Sequence, residues 1–312
     1  MNSYTVVFPG QGSQKVGMSK DFFDSSDVVK DTFKEASDSL GYSMEDLCFI
    51  ENDKLNLTEF TQPALLTAEI SIWRYLTSKG FKADYFAGHS LGEYTALVAA
   101  NVIKFSDAVK IVRKRGELMQ RAVPSGEGSM KVLNFPVGSD ISYSFGNIKD
   151  LCDAFNIDLA NLNSPRQIVI SGPVNTLSLA ANKCQESYQD SVIPEIIDIP
   201  VSAPFHSRGM KVIEKEFKDF INQYDFNYDC VTCVYSNKTG DLHNRENFVD
   251  NLVSQISSPV NWIDNMKNII SKKSEILEIG PGKPLSGFFK SFDTKVNSIM
   301  ILRQADTLLK SF

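Results

Sequence analysis

The chain of 312 residues has few of the features that direct a protein to nucleic acid or to a membrane. Its net charge is −6 and its pI is about 5.2, and it has no basic cluster of the kind that neutralises nucleic-acid phosphates. No apolar run approaches the roughly 20 residues that span a bilayer, and residues 1–10 lack the basic flank and apolar stretch of a signal peptide. These absences predict a cytoplasmic protein that binds neither nucleic acid nor membrane.

Cysteine is also scarce, with an odd and scattered set at Cys48, Cys152, Cys184, Cys230 and Cys233. This set favours free thiols in a reducing compartment over a disulfide framework. Cys230 and Cys233 are close in sequence, but they lie in a β-branched run that predicts a strand over residues 230–236. Redox pairs of this spacing lie at the start of a helix, and zinc sites need further ligands nearby. We therefore interpret both thiols as structural.

One pattern that is present is typical of a catalytic serine. Gly88 and Gly92 bracket Ser90 as Gly-x-Ser-x-Gly between a short apolar strand and an alanine-rich helix, which is the arrangement of a nucleophile elbow. Such a turn has room only for small neighbours, and the start of the helix directs free N–H groups at the serine. The pattern alone also fits a non-catalytic strand-to-helix turn, so the rest of the chain must decide between the two.

A catalytic serine needs a general base, and the chain has only three histidines that could serve as one. His89 adjoins Ser90 and is expected to point away from it, and His243 lies in a polar loop with no other signal. His206 lies in a loop that Pro204 anchors, and it is our candidate for the general base, against the alternative of a structural histidine. No acidic residue carries a distinctive motif, so a backbone carbonyl could orient the imidazole instead.

The order of predicted elements indicates an α/β domain that is interrupted by a second unit. Residues 128–198 read as β-α-β-β-α-β, the order of a ferredoxin-like subdomain, and the α/β pattern resumes after it. We therefore assign residues 1–127 and 199–312 to a large α/β domain. Within it we predict helices over residues 22–40, from Thr61 to Gly80 with an amphipathic pattern, and after Ser106 as a cap.

The loop at residues 9–14 has glycines on both sides of Gln11 and invites a phosphate-binding interpretation. It lacks the lysine of a Walker loop and the third glycine of a dinucleotide fingerprint. What remains is a plain tight turn, or a loop that brings the backbone and amide of Gln11 against a reacting centre.

The elbow is one of a series of short blocks that follow one another along nearly the whole chain, at residues 8–14, 61–65, 88–94, 115–116 with 119–120, 161–165 with 170–172, 202–207, and 278–282. This series resembles the malonyl-CoA:acyl carrier protein transacylases, the family that also supplies the acyltransferases of polyketide synthases. The resemblance implies a hydrolase-like α/β core with a parallel sheet and a ferredoxin-like inserted subdomain. It also implies Ser90 as the nucleophile and His206 as the base.

Further site residues come from the same resemblance. The backbone carbonyl of Gln255 would hold the imidazole, and the N–H groups of Gln11 and Leu91 would form the oxyanion hole. Arg115 would bind the free carboxylate of a malonyl group, against the alternative of one more cation on a basic helix face. The remaining substrate-binding residues would line or support the pocket, and they are Gln62, Asn163 and Phe205.

The implied activity is transfer of a malonyl group from malonyl-CoA, through an acyl-serine, to the phosphopantetheine thiol of an acyl carrier protein. It would serve fatty-acid or polyketide synthesis and would need no metal or other cofactor, and we expect a monomer. Two alternatives remain open, namely an acyl hydrolase that clears acyl groups from carrier proteins and a non-catalytic docking module. Retention of Arg115 speaks against the hydrolase, and retention of the other implied site residues speaks against the docking module.

Three positions depart from the family pattern. Lys131 lies where the family usually has alanine, and it could be a docking cation for an acidic carrier protein or a solvated strand residue. Gly209 replaces a leucine. Phe205 stands where many fatty-acid-synthesis members carry serine, which is closer to malonyl-selective polyketide acyltransferases, and we expect it to crowd the position of a methylmalonyl branch.

Overall fold

A fully buried strand, β1 (Tyr4–Phe8), lies inside a four-stranded parallel sheet. The structure is a computed structural model that describes residues 3–136, 141–188, 193–201 and 203–310. The other strands of this sheet are β2 (Tyr85–Gly88), β7 (Glu275–Ile279) and β8 (Asn297–Ile299), in the order β2-β1-β7-β8. Phe8 pairs with Gly88. Because both strands are parallel and end at this point, the loop that follows β1 and the elbow that follows β2 meet at one edge of the sheet.

Helices cover the parallel sheet. They are α1 (Lys20–Ser25), α2 (Asp27–Leu40), α3 (Met44–Phe49), α4 (Thr58–Ser78), α5 (Leu91–Ala99), α6 (Phe105–Arg121), α9 (Lys211–Ile221), α10 (Phe248–Gln255), α11 (Trp262–Ser271), α12 (Pro284–Phe289) and α13 (Leu302–Lys310). Among the described residues, no helix combines the length and the apolar character that crossing a lipid bilayer requires.

A second sheet is antiparallel and has its own apolar core. Its strands are β3 (Gly128–Asn134), β4 (Asp158–Ser164), β5 (Gln167–Pro173) and β6 (Glu195–Asp198), in the order β4-β5-β3-β6. Helices α7 (Ile141–Phe155) and α8 (Val174–Ser187) pack against each other, and side chains of both join the core beneath this sheet. This order confirms the predicted ferredoxin-like topology. Residues 137–140 and 189–192 of the predicted insert, and Ser202 of the loop with His206, lie outside the described residues.

Several predicted elements are wrong in detail. The helix predicted over residues 22–40 breaks at Ser26, whose backbone is extended, with φ −144° and ψ 125°. The helix predicted to open at Thr61 begins at Thr58, and it is buried on nearly every side because α2, α5 and α6 all pack against it. It is therefore not amphipathic. Ser106 does not cap α6, which begins at Phe105 after Lys104.

The strand predicted over residues 230–236 is also wrong, because residues Val231–Cys233 form a 3-10 turn and β-bridges occur only at Val234 and Tyr235. Cys230 thus precedes this turn and Cys233 is its last residue, whereas redox pairs of this spacing lie at the start of a helix. Both thiols are free. Burial raises the pKa of Cys233, so its reactive thiolate form is disfavoured.

Candidate active site

Ser90 occupies a strained turn between β2 and α5. Its φ of 53° and ψ of −102° lie outside the usual regions for a residue with a side chain. A Cβ atom on Gly88 would lie 1.9 Å from the carbonyl carbon of Gly92, and one on Gly92 would lie 2.2 Å from the carbonyl oxygen of Phe8. Only glycine fits at these two positions, because the end of β1, the end of β2 and the start of α5 meet backbone to backbone.

The hydroxyl of Ser90 contacts a histidine that lies 116 residues away in sequence. Ser90 Oγ lies 2.8 Å from Nε2 of His206, whose Nδ1 lies 2.9 Å from the carbonyl oxygen of Gln255. A carbonyl can only accept a hydrogen bond, so Nδ1 carries the proton and Nε2 presents a lone pair to the serine. This tautomer is the one that a general base for Ser90 requires.

The electrostatic surroundings keep His206 neutral. Burial, together with the positive charge of Arg115, lowers the pKa of His206 to about 3. An imidazole with an ordinary pKa near 6.5 would be partly protonated at neutral pH, whereas this imidazole is free to accept a proton. A lowered pKa also makes it a weaker base, so its contribution depends on geometry that brings the proton directly to it.

Arg115 reaches the same point from α6. Its side chain is 1% exposed, and its Nη2 donates to Ser90 Oγ at 3.2 Å and to Gln255 Oε1 at 2.8 Å. Nη1 donates to Gln62 Oε1 at 2.9 Å, and the guanidinium lies 5.4 Å from the centre of the Tyr94 ring. Burial lowers the pKa of Arg115 from its usual value, but a guanidinium remains charged at neutral pH. A buried cation therefore lies beside the serine hydroxyl.

The backbone around the serine leaves hydrogen-bond donors free. Among the described residues, no acceptor takes the N–H of Gln11 or of Leu91. The N–H of Ser90 itself donates to Asn237 Oδ1 at 2.6 Å and so is occupied. Leu91 is the first residue of α5, where the helix dipole favours negative charge.

A cavity of about 400 Å³ opens above Ser90 between the two sheets. Gln11, Gln62, Arg115 and Phe205 line it from the large α/β part of the chain. Met130 and Asn161 line it from strands of the second sheet. The loop after β6 adds Ile199, Pro200 and Val201. The cavity thus joins a polar floor around Ser90 to a largely apolar wall.

Asn163 lies behind His89 in a second layer. Asn163 does not line the cavity, but its Oδ1 lies 2.7 Å from Nε2 of His89, which does. His89 makes this contact instead of reaching Ser90, in agreement with the expectation that it is not the base. Burial lowers the pKa of His89 to about 4, so its ring is neutral and its Nε2–H donates to Asn163.

Two of the three positions that depart from the family pattern, Lys131 and Gly209, lie outside the cavity lining. The Nζ of Lys131 contacts a carboxylate oxygen of Asp198 on the neighbouring strand β6, so its charge is already paired. Gly209 lies in a 3-10 turn, and its N–H donates to Ser207 Oγ at 3.2 Å.

Sequence reasoning missed three buried polar residues that surround this cluster, namely Glu93, Asn237 and His243. Glu93 had a signal, because it is the one charged residue in the otherwise apolar or small helix Leu91–Ala99 directly after the elbow. A charge in such a helix is expected to be paired when it is buried. Asn237 and His243 had none, since polar loop residues do not reveal their partners.

Comparison with known proteins indicates one family. Residues 5–281 match the family described as the acyl transferase domain. The chain is 38% identical to a malonyl CoA-acyl carrier protein transacylase of Staphylococcus aureus (strain COL), over 97% of each chain.

Solved structures give the same result. One is a malonyl CoA-acyl carrier protein transacylase from Clostridium perfringens, with 35% identity, a TM-score of 0.89 and coverage of 99% of this chain and 96% of that one. Another is a type II polyketide-synthase acyl-carrier protein in complex with its malonyl-transacylase, with 34% identity, a TM-score of 0.89 and coverage of 99% and 100%.

Proposed function

The chain belongs to the acyl transferase family, and from this premise we propose that it moves a malonyl group from malonyl-CoA to the phosphopantetheine thiol of an acyl carrier protein. The observation that carries the proposal is the buried guanidinium of Arg115 at 3.2 Å from the hydroxyl of Ser90. A malonyl group presents a thioester to a nucleophile and a carboxylate to a cation. The proposal is further supported by the names of the relatives, which are malonyl transacylases.

In the first half of the reaction, Ser90 attacks the thioester carbonyl and its proton passes to Nε2 of His206. The carbonyl oxygen becomes negatively charged, and the free N–H groups of Gln11 and Leu91 are the donors assigned to stabilise it. When the tetrahedral intermediate collapses, the carbon–sulfur bond breaks and the CoA thiolate takes the proton from His206. The malonyl group remains as an ester of Ser90.

In the second half, the phosphopantetheine thiol of the carrier protein occupies the position that CoA has left. Its proton passes to His206, its sulfur attacks the ester carbonyl, and the proton returns to Ser90 as the ester breaks. The carbonyl of Gln255 holds His206 in one tautomer through both halves, since the 2.9 Å contact does not involve the reacting nitrogen. The kinetics are expected to be ping-pong.

Selectivity for malonyl is assigned to Arg115 and Phe205. A carboxylate that enters a buried site must be paired, and a guanidinium offers it two parallel donors. Gln62 binds Nη1 of Arg115 and so helps to direct it, while Asn163 supports the cavity through His89. Phe205 is 6% exposed and lines the cavity, and we assign it the exclusion of a branched acyl group.

We also propose domain boundaries, a docking position for the carrier protein, a compartment and an oligomeric state. We assign residues 128–198 to the inserted subdomain and residues 1–127 and 199–312 to the catalytic domain, since the second sheet runs from Gly128 to Asp198. The carrier protein is expected to dock over the cleft between them. We propose a cytoplasmic monomer that needs no metal or other cofactor, and its free thiols are compatible with that compartment.

The function is tested by mass spectrometry of a holo carrier protein incubated with malonyl-CoA and the protein. Transfer adds one malonyl group to the carrier protein. Loss of malonyl-CoA with an unchanged carrier protein would indicate a hydrolase, and no change in either would indicate a docking module. Either of these two results would overturn the proposal.

A further inference from the structure

Glu93 binds three residues of the stretch 237–255, which is distant from it in sequence. Its carboxylate is fully buried and accepts hydrogen bonds from the backbone N–H of Asn237 at 3.1 Å, from Nε2 of Gln255 at 2.6 Å and from Nε2 of His243 at 2.7 Å. Glu93 lies three residues after Ser90 in the first turn of α5, yet its side chain does not contact the serine hydroxyl. It contacts the residues that hold the serine, its base and the buried arginine.

The side-chain amide of Gln255 has only one orientation that satisfies its neighbours. On one side are the carboxylate of Glu93 and the carbonyl of Ser90, at 2.6 Å and 3.0 Å, and both can only accept. On the other side is Nη2 of Arg115 at 2.8 Å, which can only donate. The amide nitrogen must therefore face Glu93, and the amide oxygen must face Arg115.

Asn237 connects Glu93 to the elbow through hydrogen bonds. Its N–H donates to Glu93, its Oδ1 accepts from the N–H of Ser90 at 2.6 Å, and its Nδ2 donates to the carbonyl of Gly88 at 2.7 Å. One side chain thus spans the two peptide groups on either side of His89, directly before the strained serine. This contact also occupies the N–H of Ser90, which keeps it out of the oxyanion hole.

From these contacts we propose that Glu93 is a positioning residue for acyl selectivity. As a group that only accepts hydrogen bonds, it fixes the amide of Gln255, and Gln255 in turn fixes the direction of the Arg115 guanidinium toward the acyl site. This inference deepens the proposed function and rests on it. Burial lowers the pKa of Arg115, and the negative charge of Glu93 partly offsets this effect. Glu93 is therefore a counter-charge as well as an anchor.

The role of His243 follows from the same network. It lies in the loop before α10, is 2% exposed, and packs edge-to-face on Phe248 with ring centres 5.1 Å apart. Its Nε2 contacts Oε1 of Glu93, which leaves Oε2 for Asn237 and Gln255. His243 thereby keeps the two carboxylate oxygens of Glu93 in separate roles.

Replacement of Glu93 by glutamine removes the constraint on the amide of Gln255 with almost no change in volume. When the new amide turns its NH₂ group toward Gln255, the amide of Gln255 is free to flip, and the N–H of Asn237, which shares that oxygen, loses its acceptor as well. A flipped Gln255 presents its own NH₂ group to the donor Nη2 of Arg115, and two donors repel. The guanidinium should then leave the direction that a malonyl carboxylate needs, while an acetyl group, which has no carboxylate, should be little affected by that change.

The matched control is Glu278→Gln. Glu278 is also fully buried and accepts from the N–H groups of Leu285 and Ser286, but no hydrogen bond joins it to Arg115, Gln255 or Asn237 among the described residues. Both variants remove one buried carboxylate from the large domain. A purely structural role for Glu93 would therefore give both variants the same pattern of losses.

The experiment measures kcat/KM for malonyl-CoA and for acetyl-CoA in the wild type and both variants, with thermal unfolding as a check on folding. We expect Glu93→Gln to lower the malonyl-to-acetyl ratio at least about tenfold, the effect of losing one hydrogen bond to a charged group. We expect Glu278→Gln to leave the ratio within about twofold, because it acts on stability. A Glu93→Gln protein that folds and keeps the wild-type ratio would overturn the proposal.

A second variant covers the case in which Glu93→Gln does not fold. Gln255→Met removes both functions of the side-chain amide but keeps the backbone carbonyl that holds His206, and it should lower the same ratio by a similar factor. An unchanged ratio in that variant would also overturn the proposal. Failure of the wild type to transfer malonyl at all would instead refute the proposed function, so the two failures are distinguishable.

Discussion

The two sheets of this molecule differ in how much their surroundings constrain them. Strand β1, inside the parallel sheet, is buried at all five positions, whereas β6, at the edge of the antiparallel sheet, is exposed at three of four. The proposed catalytic residues meet at the end of the parallel sheet, where backbone groups pack in direct contact and each polar side chain has several buried partners. The antiparallel sheet contributes residues to one wall of the cavity. We infer that the first region determines rate and selectivity and that the second tolerates change.

The largest effect is expected from His206→Ala. Removal of a general base lowers rates by about 10²- to 10⁴-fold, and we expect acylation of the protein by malonyl-CoA to slow by that amount. The measurement is the rate of CoA release before carrier protein is added, with binding of malonyl-CoA and the thermal midpoint as controls. A loss below about fivefold would mean that His206 does not take the proton of Ser90.

Arg115→Ala should produce the next largest effect, and it should be specific for the acyl group. An unpaired buried carboxylate costs about 3 kcal/mol or more, which corresponds to over a hundredfold in kcat/KM for malonyl-CoA. Acetyl-CoA brings no such charge, so its transfer should hold or rise. Equal losses for both substrates would assign Arg115 a structural role.

Arg113→Ala is the control for that experiment, since Arg113 is two residues away on the same helix. It forms an ion pair with Glu59 at 2.5 Å and lies 4.0 Å above the Phe60 ring, so the variant should lose some stability. Its malonyl-to-acetyl ratio should remain within about twofold of the wild type, because it does not line the cavity.

The pH dependence of the acylation rate should be small. The pKa of His206 is lowered to about 3, so the imidazole stays neutral as the pH falls from 8 to 5.5, and acylation should change by less than about twofold. A histidine with the ordinary pKa of about 6.5 would be mostly protonated at pH 5.5 and would lower the rate about tenfold. Such a decrease near pH 6.5 would contradict the proposed state of His206.

The same shift has a consequence for stability. His206 and His89 both have lowered pKa values, about 3 and about 4, so the unfolded chain binds more protons than the folded one below pH 6.5. Their contribution to the free energy of unfolding is therefore fully present above pH 6.5 and is lost progressively as the pH falls toward those values. Thermal midpoints measured between pH 7 and pH 5 should decrease in that direction.

The smallest effect is expected on the antiparallel sheet, from Lys131→Gln. Because Lys131 is already paired with Asp198, whose side chain is 77% exposed, the Michaelis constant for the carrier protein should change less than about twofold. The structure therefore favours the interpretation of Lys131 as a strand residue over that of a docking cation. A tenfold rise at low salt would reverse this and give the antiparallel sheet a direct role in binding.

Local patterns predicted much of this molecule. The elbow was readable because a Gly-x-Ser-x-Gly turn forces its own geometry, and the β-α-β-β-α-β order was readable because each element carries its own periodicity. The failures have a common cause in tertiary contacts. Helix α4 is buried on nearly every side because three helices cover it, and residues 230–236 form mostly a turn because only Val234 and Tyr235 reach other strands.

The candidate site also contains residues that the sequence could predict and residues that it could not. Ser90 and His206 could be proposed from the sequence by enumeration, because the chain has one elbow and three histidines, and the structure brings the two side chains together. The contacts of Gln255 were beyond local reasoning, since one residue joins the carbonyl of Ser90, the imidazole of His206 and the guanidinium of Arg115. Its role as an imidazole anchor came from the resemblance alone. Glu93 had a signal as the one charged residue of its helix, but its pairing with His243 was missed because a buried polar pair is recognised only when both partners are placed.

The most direct test is to find where the acyl group is attached. The protein is incubated with malonyl-CoA in the absence of carrier protein, digested, and examined by mass spectrometry for a peptide that carries one malonyl group. The account predicts that the group is on Ser90, that Ser90→Ala carries none, and that addition of holo carrier protein removes it from the wild type. A malonyl group retained by Ser90→Ala, or one that the carrier protein does not remove, would contradict it.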